Sequence, residues 1–376
     1  MPKTHLHFLW NGGRVLGNYR TAVSLHSHTM HSQETLEGLP RYLGRIRPLR
    51  QALRNAEERH LERTGEETDY SRFFWTPPLP ATNAFRLEEH QIRNKLGLAA
   101  LVSLTDHDNI EAGTRLQLLD GSRDVPISLE WTVPLGASFL HLGIHNLPPA
   151  QAHRWVADMQ ECTRRPSPAS IAGLLAALHD VAGTLVVLNH PLWDEPGIGR
   201  EAHSHMVRKF LDRNGEFIHA LEWNGFRPWH ENATVIELAR NRNFPLISGG
   251  DRHGATANSV LNLTRATAFA EFSEEVRANR AGLILVLPPY RGSYRLRWAA
   301  CFLEIVREYP ELAGRRYWTD RVFSRERDGE IRALSACWEG EVTGWIPAAR
   351  GLMRLIQSRP LWYAVRAVLA ANQATV

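Results

Sequence analysis

Thr21-Ala-Val-Ser-Leu25 runs straight into His26-Ser-His28-Thr29, and this junction decides how the rest of the chain is read. The first five residues are β-prone and short, and they read as a strand. Residues i and i+2 of a strand point to the same face, so His26 and His28 present two imidazoles together where that strand ends. Alone, the spacing means little, because short motifs are mostly accidental. His5-Leu6-His7 and His203-Ser204-His205 share it. The first of these precedes any comparable context, and the second falls at a helix start, where the side chains diverge.

Working outward, the same context recurs. Ala99–Leu104 is apolar and ends in Thr105-Asp106-His107-Asp108. Val125–Leu129 ends at Glu130, and Thr184–Leu188 ends in Asn189-His190-Pro191. Phe244–Ile247 leads through Ser248-Gly249-Gly250 into Asp251-Arg252-His253-Gly254. Ser138–Ile144 reads as a further strand with His141 on it and His145 just beyond, and Ile218–Leu221 leads to Glu222. Each position has an ordinary explanation. Asp caps helices, a strand-end glutamate can sit in water, and His141 or His145 can be a satisfied strand histidine. His190 is harder to dismiss, since a buried strand end rarely presents an unpaired imidazole. Five clusters of ligand-type residues, all at strand exits, point to a multi-metal hydrolytic site.

Mixed imidazole and carboxylate donors suit Zn, Mn or Fe over Ca or Mg. Two or three such divalent transition-metal ions can acidify bound water and polarise a phosphoryl oxygen. The chain shows no nucleophile elbow, P-loop or GxGxxG to compete with that chemistry. The fold class expected is α/β. Strands alternate with helical patterns near 149–160, 168–182, 231–242 and 272–280, which argues for βα units and a parallel sheet. Ligands at nearly every strand exit favour a closed barrel over an open doubly wound sheet, because a barrel gathers its site at the C-terminal ends of its strands.

Residues 41–95 are polar and rich in Arg and Glu. They read as a helical insertion broken at Pro77-Pro78-Leu79-Pro80, with Asn83 capping a last helix that Gly97 closes. After about residue 290 the character changes. Residues 291–376 hold 14 arginines and no lysine against nine acidic residues, a net of +5 that leaves the remainder near neutral. With Trp298, Trp318, Trp338, Trp345 and Trp362, and an amphipathic run over about 352–371, this stretch reads as a helical extension packing aromatics on the barrel. Overall charge is only +4, too mild to argue for nucleic acid. Three isolated cysteines form no disulfide framework. No signal peptide or membrane-spanning run stands out, so the expectation is a cytoplasmic protein without membrane contact.

The five clusters, in this order and context, resemble the PHP (polymerase and histidinol phosphatase) superfamily over roughly residues 20–290. The resemblance implies a distorted (β/α)7-type barrel over 1–290, with the 41–95 insertion and a mostly helical C-terminal extension over 291–376. It further implies that His26, His28, Glu130 and Asp251 hold one ion. Glu130 would bridge to a second, shared with His190 and either His141 or His145. His107 and His253 would hold a third. Where the family's first motif usually continues into Ser-Asp-Gly, this chain has Ser32-Gln33-Glu34. Either Glu34 replaces the acidic ligand after a one-residue slip, or the third site is weakened. Catalytic weight is expected on Glu130, Asp251 and His107.

The function expected is a metal-dependent phosphoesterase acting on a small phosphorylated substrate. A metal amidohydrolase is the second class, but many of those need a strand-end lysine. Lys3, Lys95 and Lys209, the only lysines, lie at no ligand-bearing exit. A non-catalytic scaffold, or a nucleic-acid partner using the Arg/Trp tail, is the third class and has no support beyond that tail.

Overall fold

The computed structural model describes residues 4–12, 14–44, 47–136, 138–279, 282–336 and 351. The strands are β1 (Thr4–Phe8), β2 (Thr21–Ser24), β3 (Glu34–Thr35), β4 (Phe73–Trp75), β5 (Ala99–Val102), β6 (Ile127–Leu135), β7 (Ser138–Leu147), β8 (Leu185–Leu188), β9 (Ala220–Asn224), β10 (Leu246–Gly249), β11 (Val260–Thr264), β12 (Gly282–Val286), β13 (Val322–Arg325) and β14 (Ile331–Ala333). The α-helices are α1 (Leu39–Leu43), α2 (Arg47–Thr64), α3 (Ala81–His90), α4 (Glu111–Gln117), α5 (Ala152–Arg164), α6 (Pro168–His179), α7 (Arg200–Asn214), α8 (Trp229–Arg242), α9 (Phe269–Asn279) and α10 (Tyr294–Val306).

The fold is mixed α/β, and its strands form three sheets among the described residues. Two have five strands, in the orders β1-β12-β11-β2-β5 and β10-β9-β8-β7-β6. The third has four, β14-β13-β4-β3. β2 and β8 are buried along their whole length, as strands covered on both faces must be. Val23 and Leu25 of the first sheet meet Leu185, Val187, Ala220 and Ile247 of the second, and Phe269 and Phe272 of α9 fill the same apolar cluster. Fully burying each such side chain contributes roughly 1.5–3 kcal/mol, so the two sheets are held face to face.

A closed barrel of seven βα units is not what the hydrogen bonding gives. β6–β7 and β7–β8 are antiparallel, and β11 lies antiparallel to both β12 and β2. Among the described residues, two isolated bridges form between the two five-stranded sheets, Ser27 with Arg252 and His107 with Glu130. Both join residues of the motif clusters, and at the opposite end Thr4 Oγ1 of β1 accepts the Leu246 N–H of β10 at 2.9 Å. No helix among the described residues is long and apolar enough to cross a membrane.

Two local expectations change. The helix near residue 83 starts earlier, with Pro80 at its N-cap, and Asn83 lies inside it. A π-helical turn over Gln91–Leu96 follows before Gly97 ends it at φ 68°. In the extension, only α10 is a long helix among the described residues. Val322–Arg325 pairs with β4 of the insertion and with β14, joining extension and insertion in one sheet. The amphipathic run near 352–371, with Trp338, Trp345 and Trp362, lies outside the described residues.

Candidate metal centre

Glu130 stands at the middle of the motif clusters and is fully buried. Its Oε2 lies 3.0 Å from His26 Nε2, 3.3 Å from His28 Nε2 and 3.5 Å from His107 Nδ1. Its Oε1 lies 3.1 Å from His190 Nε2 and 3.6 Å from His141 Nδ1, and accepts the Asn189 amide at 2.9 Å. Asp251 Oδ1 sits 3.8 Å from His26 Nε2, 3.7 Å from His28 Nε2 and 3.4 Å from His253 Nδ1. One carboxylate thus faces five imidazoles, His26 and His28 from the exit of β2, His107 from that of β5, His190 from that of β8, and His141 from within β7.

Three groups of these side chains could hold a metal ion: His26, His28 and Glu130; His107, Glu130 and His141; and His28, Glu34, His107 and His253. Within each group the donor atoms lie within 4.8 Å of one another. Glu34 is therefore among the side chains brought together. Its Oε1 is 3.3 Å from His253 Nε2 and its Oε2 is 3.3 Å from His107 Nε2. Ser32 Oγ organises this corner by donating to Glu34 Oε1 at 2.7 Å and accepting the His107 N–H at 3.1 Å. His28 stands between the first and third groups.

The backbone is bent to bring these donors inward. His26, His190 and Asp251 have φ of 61°, 24° and 53°, the left-handed region that non-glycine residues rarely occupy and that clusters at functional sites. Glycines make room. A Cβ on Gly249 would stand 1.7 Å from Glu222 Oε1, and one on Gly143 would stand 2.9 Å from Asn189 Oδ1. Glu222 Oε1 lies 2.6 Å from His26 Nδ1 and its Oε2 accepts the His190 N–H at 2.7 Å. When His26 donates Nδ1–H to Glu222, its Nε2 is left free to face the group, an arrangement that orients metal-binding histidines. Asp106 serves the loop instead, accepting the Thr29 N–H at 2.5 Å and the Thr29 hydroxyl at 2.7 Å. Burial pushes its carboxyl up to about 7 in spite of the Thr29 bonds.

The electrostatics fit cation binding. Burial pushes the Glu130 carboxyl up, but His26, His141 and His107, with the bond from His190, more than reverse it, and it lies well below the usual carboxylate range. Asp251 is also lowered: burial raises it, and His26 and the Arg227 guanidinium outweigh that. Burial alone would lower His26, but Glu130 and Glu222 carry it well above an ordinary imidazole. His28, where burial and His253 dominate, is lowered. Nε2 of His28 and Nδ1 of His107 are buried without a hydrogen-bond partner. Buried polar atoms of this kind need an explanation, and lone pairs aimed at carboxylate-lined space are what a divalent ion would satisfy.

His145 does not join the group. Its Nδ1 lies 2.8 Å from Ser103 Oγ and its ring packs near Phe269, so of the two strand histidines the structure brings only His141 to Glu130. His5, His7, His203 and His205 also stay out of the three groups. Three contributors went unassigned in the sequence. Glu222 had the strand-exit signal, but a lone strand-end glutamate normally faces water. Arg227, stacked 3.8 Å over Trp193 and bonded to Asp251 Oδ2 at 3.0 Å, had no motif to mark it. Glu195, 3.8 Å from His141 Nδ1, shares a small cleft beside the group with Phe139, Asn189, His190 and Trp193.

No protein-family model matches the chain, and no curated protein matches it. Solved structures do match at low identity. One is an amidohydrolase from Chromobacterium violaceum with bound sulfate and no metal, 15% identical over 57% of this chain and 88% of its own, with a TM-score of 0.35. Another is a Bifidobacterium adolescentis protein provisionally described as a metal-dependent phosphoesterase, 14% identical over 68% and 96%, TM-score 0.32. A third is PsfC from Pseudomonas syringae, 12% identical over 55% and 84%, TM-score 0.37.

Proposed function

We propose that this chain is a metal-dependent hydrolase that cleaves a small phosphate ester, with two or three divalent transition-metal ions and a barrel-like PHP arrangement of its sheets. The observation that carries this reading is Glu130, whose two oxygens face five imidazoles in a buried site. His26, His28, Glu130 and Asp251 would hold one ion. Glu130, His141, His190 and His107 would surround a second. Glu34, His28, His107 and His253 would hold a third. Bound there, such ions would acidify water and withdraw charge from a phosphoryl oxygen.

The chain's own residues supply the rest. Glu222 and Asn189 fix the rotamers of His26 and Glu130. His26 and Arg227 keep Asp251 ionised against its burial, and Arg227 orients it. Trp193, held under that guanidinium, and Trp75, whose ring lies 5.8 Å from His253, limit water at the site. A phosphate ester is favoured over an amide by a glutamate, with no lysine, at the centre of the donor set. The test is metal analysis of the purified full chain joined to a phosphate-release screen, with amide substrates run in parallel. Metal-dependent phosphate release supports the reading. A chain that binds no divalent metal, or that turns over amides and no phosphate esters, refutes it.

A further inference from the structure

The third donor group differs from the other two in Glu34 and His253, and both are seated by the C-terminal segment. His253 is followed by Gly254-Ala255-Thr256, and one carboxylate of α10 grips that loop. Glu304 Oε2 accepts the Ala255 N–H at 2.7 Å and the Thr256 N–H at 3.0 Å, while Oε1 takes the Thr256 hydroxyl. Gly254 provides the space, since a Cβ there would stand 2.2 Å from Glu304 Oε2 and 3.2 Å from its Cβ. Glu34 is fixed from the other side. Its strand pairs with β4, Glu34 opposite Trp75, and β4 pairs in turn with β13, Trp75 opposite Val322. Arg325 of β13 also donates to Gln33 Oε1 at 3.1 Å.

We propose that Glu304 is a positioning residue for the third ion, so that the C-terminal segment sets how tightly that ion alone is held. The inference rests on the metal-dependent reading above. A carboxylate on two successive N–H groups makes charge-assisted hydrogen bonds, about twice as strong as neutral ones. They hold the 254–255 and 255–256 peptide planes, one residue beyond His253. Its Nε2, 3.3 Å from Glu34, keeps its place only while that loop does. Outer partners that orient a ligand are typically worth roughly 10–100-fold in metal affinity.

The experiment titrates manganese(II) into the chelator-stripped full chain and measures ions bound per chain by equilibrium dialysis. Wild type is compared with E304Q, G254A, E304D and H253A. H253A marks which class of ion depends on the third group. E304Q and G254A are expected to weaken that class by about tenfold or more and leave the other ions at wild-type affinity, with E304D recovering most of the loss. General damage would instead weaken every class together, and that result overturns the inference. G254A pushes the carboxylate off the loop without changing charge, so it carries the test where E304Q does not fold. Unchanged binding in E304Q and G254A, or a wild type whose ions are indifferent to H253A, also overturns it while leaving the proposed function standing. A wild type that binds no manganese and no other divalent ion overturns both.

Discussion

Replacing Glu130 by Gln keeps the shape of the side chain and removes the charge that five imidazoles share. Three of them, His26, His107 and His190, are held above the ordinary imidazole range, in each case by carboxylates that outweigh burial. His28 and His141 are held below it, chiefly by burial. In metal-free protein, then, the carboxylate is partnered by cations on several sides at 3.0–3.5 Å. Removing one partner from a buried charge set costs about 3–5 kcal/mol, because the remaining charges are left without compensation.

The sign with pH follows from both sides of the pairing. His26, His107 and His190 have raised pKa values, so their contribution is present in full below about 6.5 and is lost as pH rises through their folded values. Glu130 has a lowered pKa, so its contribution is present above about 4.5 and is lost as pH falls through its folded value. The gap between wild type and E130Q should be widest between about pH 4.5 and 6.5 and should narrow in alkali. Urea denaturation of both chelator-stripped proteins at pH 5.5 and 8.5 measures it. With metal present, E130Q should lose at least one ion, and hydrolysis should fall by about 10²–10³-fold, the scale for losing one preorganised electrostatic group. Equal stability at pH 5.5, a gap that widens with pH, or full ion content and activity in E130Q would refute the reasoning.

Asp251→Asn should abolish most metal-dependent hydrolysis with the fold retained, and a variant at wild-type activity under saturating metal would remove Asp251 from the site. His145 is fully buried and burial lowers its imidazole to about 3. It therefore stabilises the fold fully above about pH 6.5 and less as pH falls, by about 1.4 kcal/mol per unit. H145Q should lose about 2 kcal/mol less than wild type between pH 6.5 and 5 and keep its ion content, and a lost ion would return His145 to the ligand set. Excising α2, with Gly44 joined to Tyr70 by a short Gly/Ser linker, should spare hydrolysis of a small generic phosphate ester and alter the range of larger ones accepted. Loss of bound metal in a folded excision variant would place α2 in the catalytic machinery.

The strand exits were legible because each obeys a local rule: a short apolar run, then a donor at its end, single at Glu130 and His190 and paired two residues apart in His26/His28 and Asp251/His253. Those runs became β2, β5, β6, β8 and β10 within a residue or two at most boundaries, and their donors converge. The choice between His141 and His145 was not legible. Both lie in β7, four residues apart, and only the distance along the strand from the shared end separates them. Arg227 was invisible for a related reason. Its partners Asp251 and Trp193 lie 24 and 34 positions away, and no spacing rule links them. β1 and β11 were missed as well, β1 although Asn11-Gly12-Gly13 follows it closely as a turn signal, and β11 because it lies antiparallel inside a region read as parallel.

The insertion and the extension were read as separate additions, and the register of the small sheet joins them to the chemistry. Glu34 is not at the exit of a strand of either five-stranded sheet. It lies on a two-residue edge strand whose partner is β4 of the insertion, and β4 in turn is completed by β13. An edge strand that short holds its register only through its neighbours, since an isolated pair of strands is marginal in water. The third group therefore cannot form from the two large sheets alone. His28 and His107 come from the strand exits, while Glu34 needs residues 73–75 and 322–325 to be in place, and His253 needs the loop that Glu304 holds. A shortened chain lacking the extension should consequently keep the donors around Glu130 and lose the third group, so the first two groups and the third differ in how much of the chain must fold before they exist.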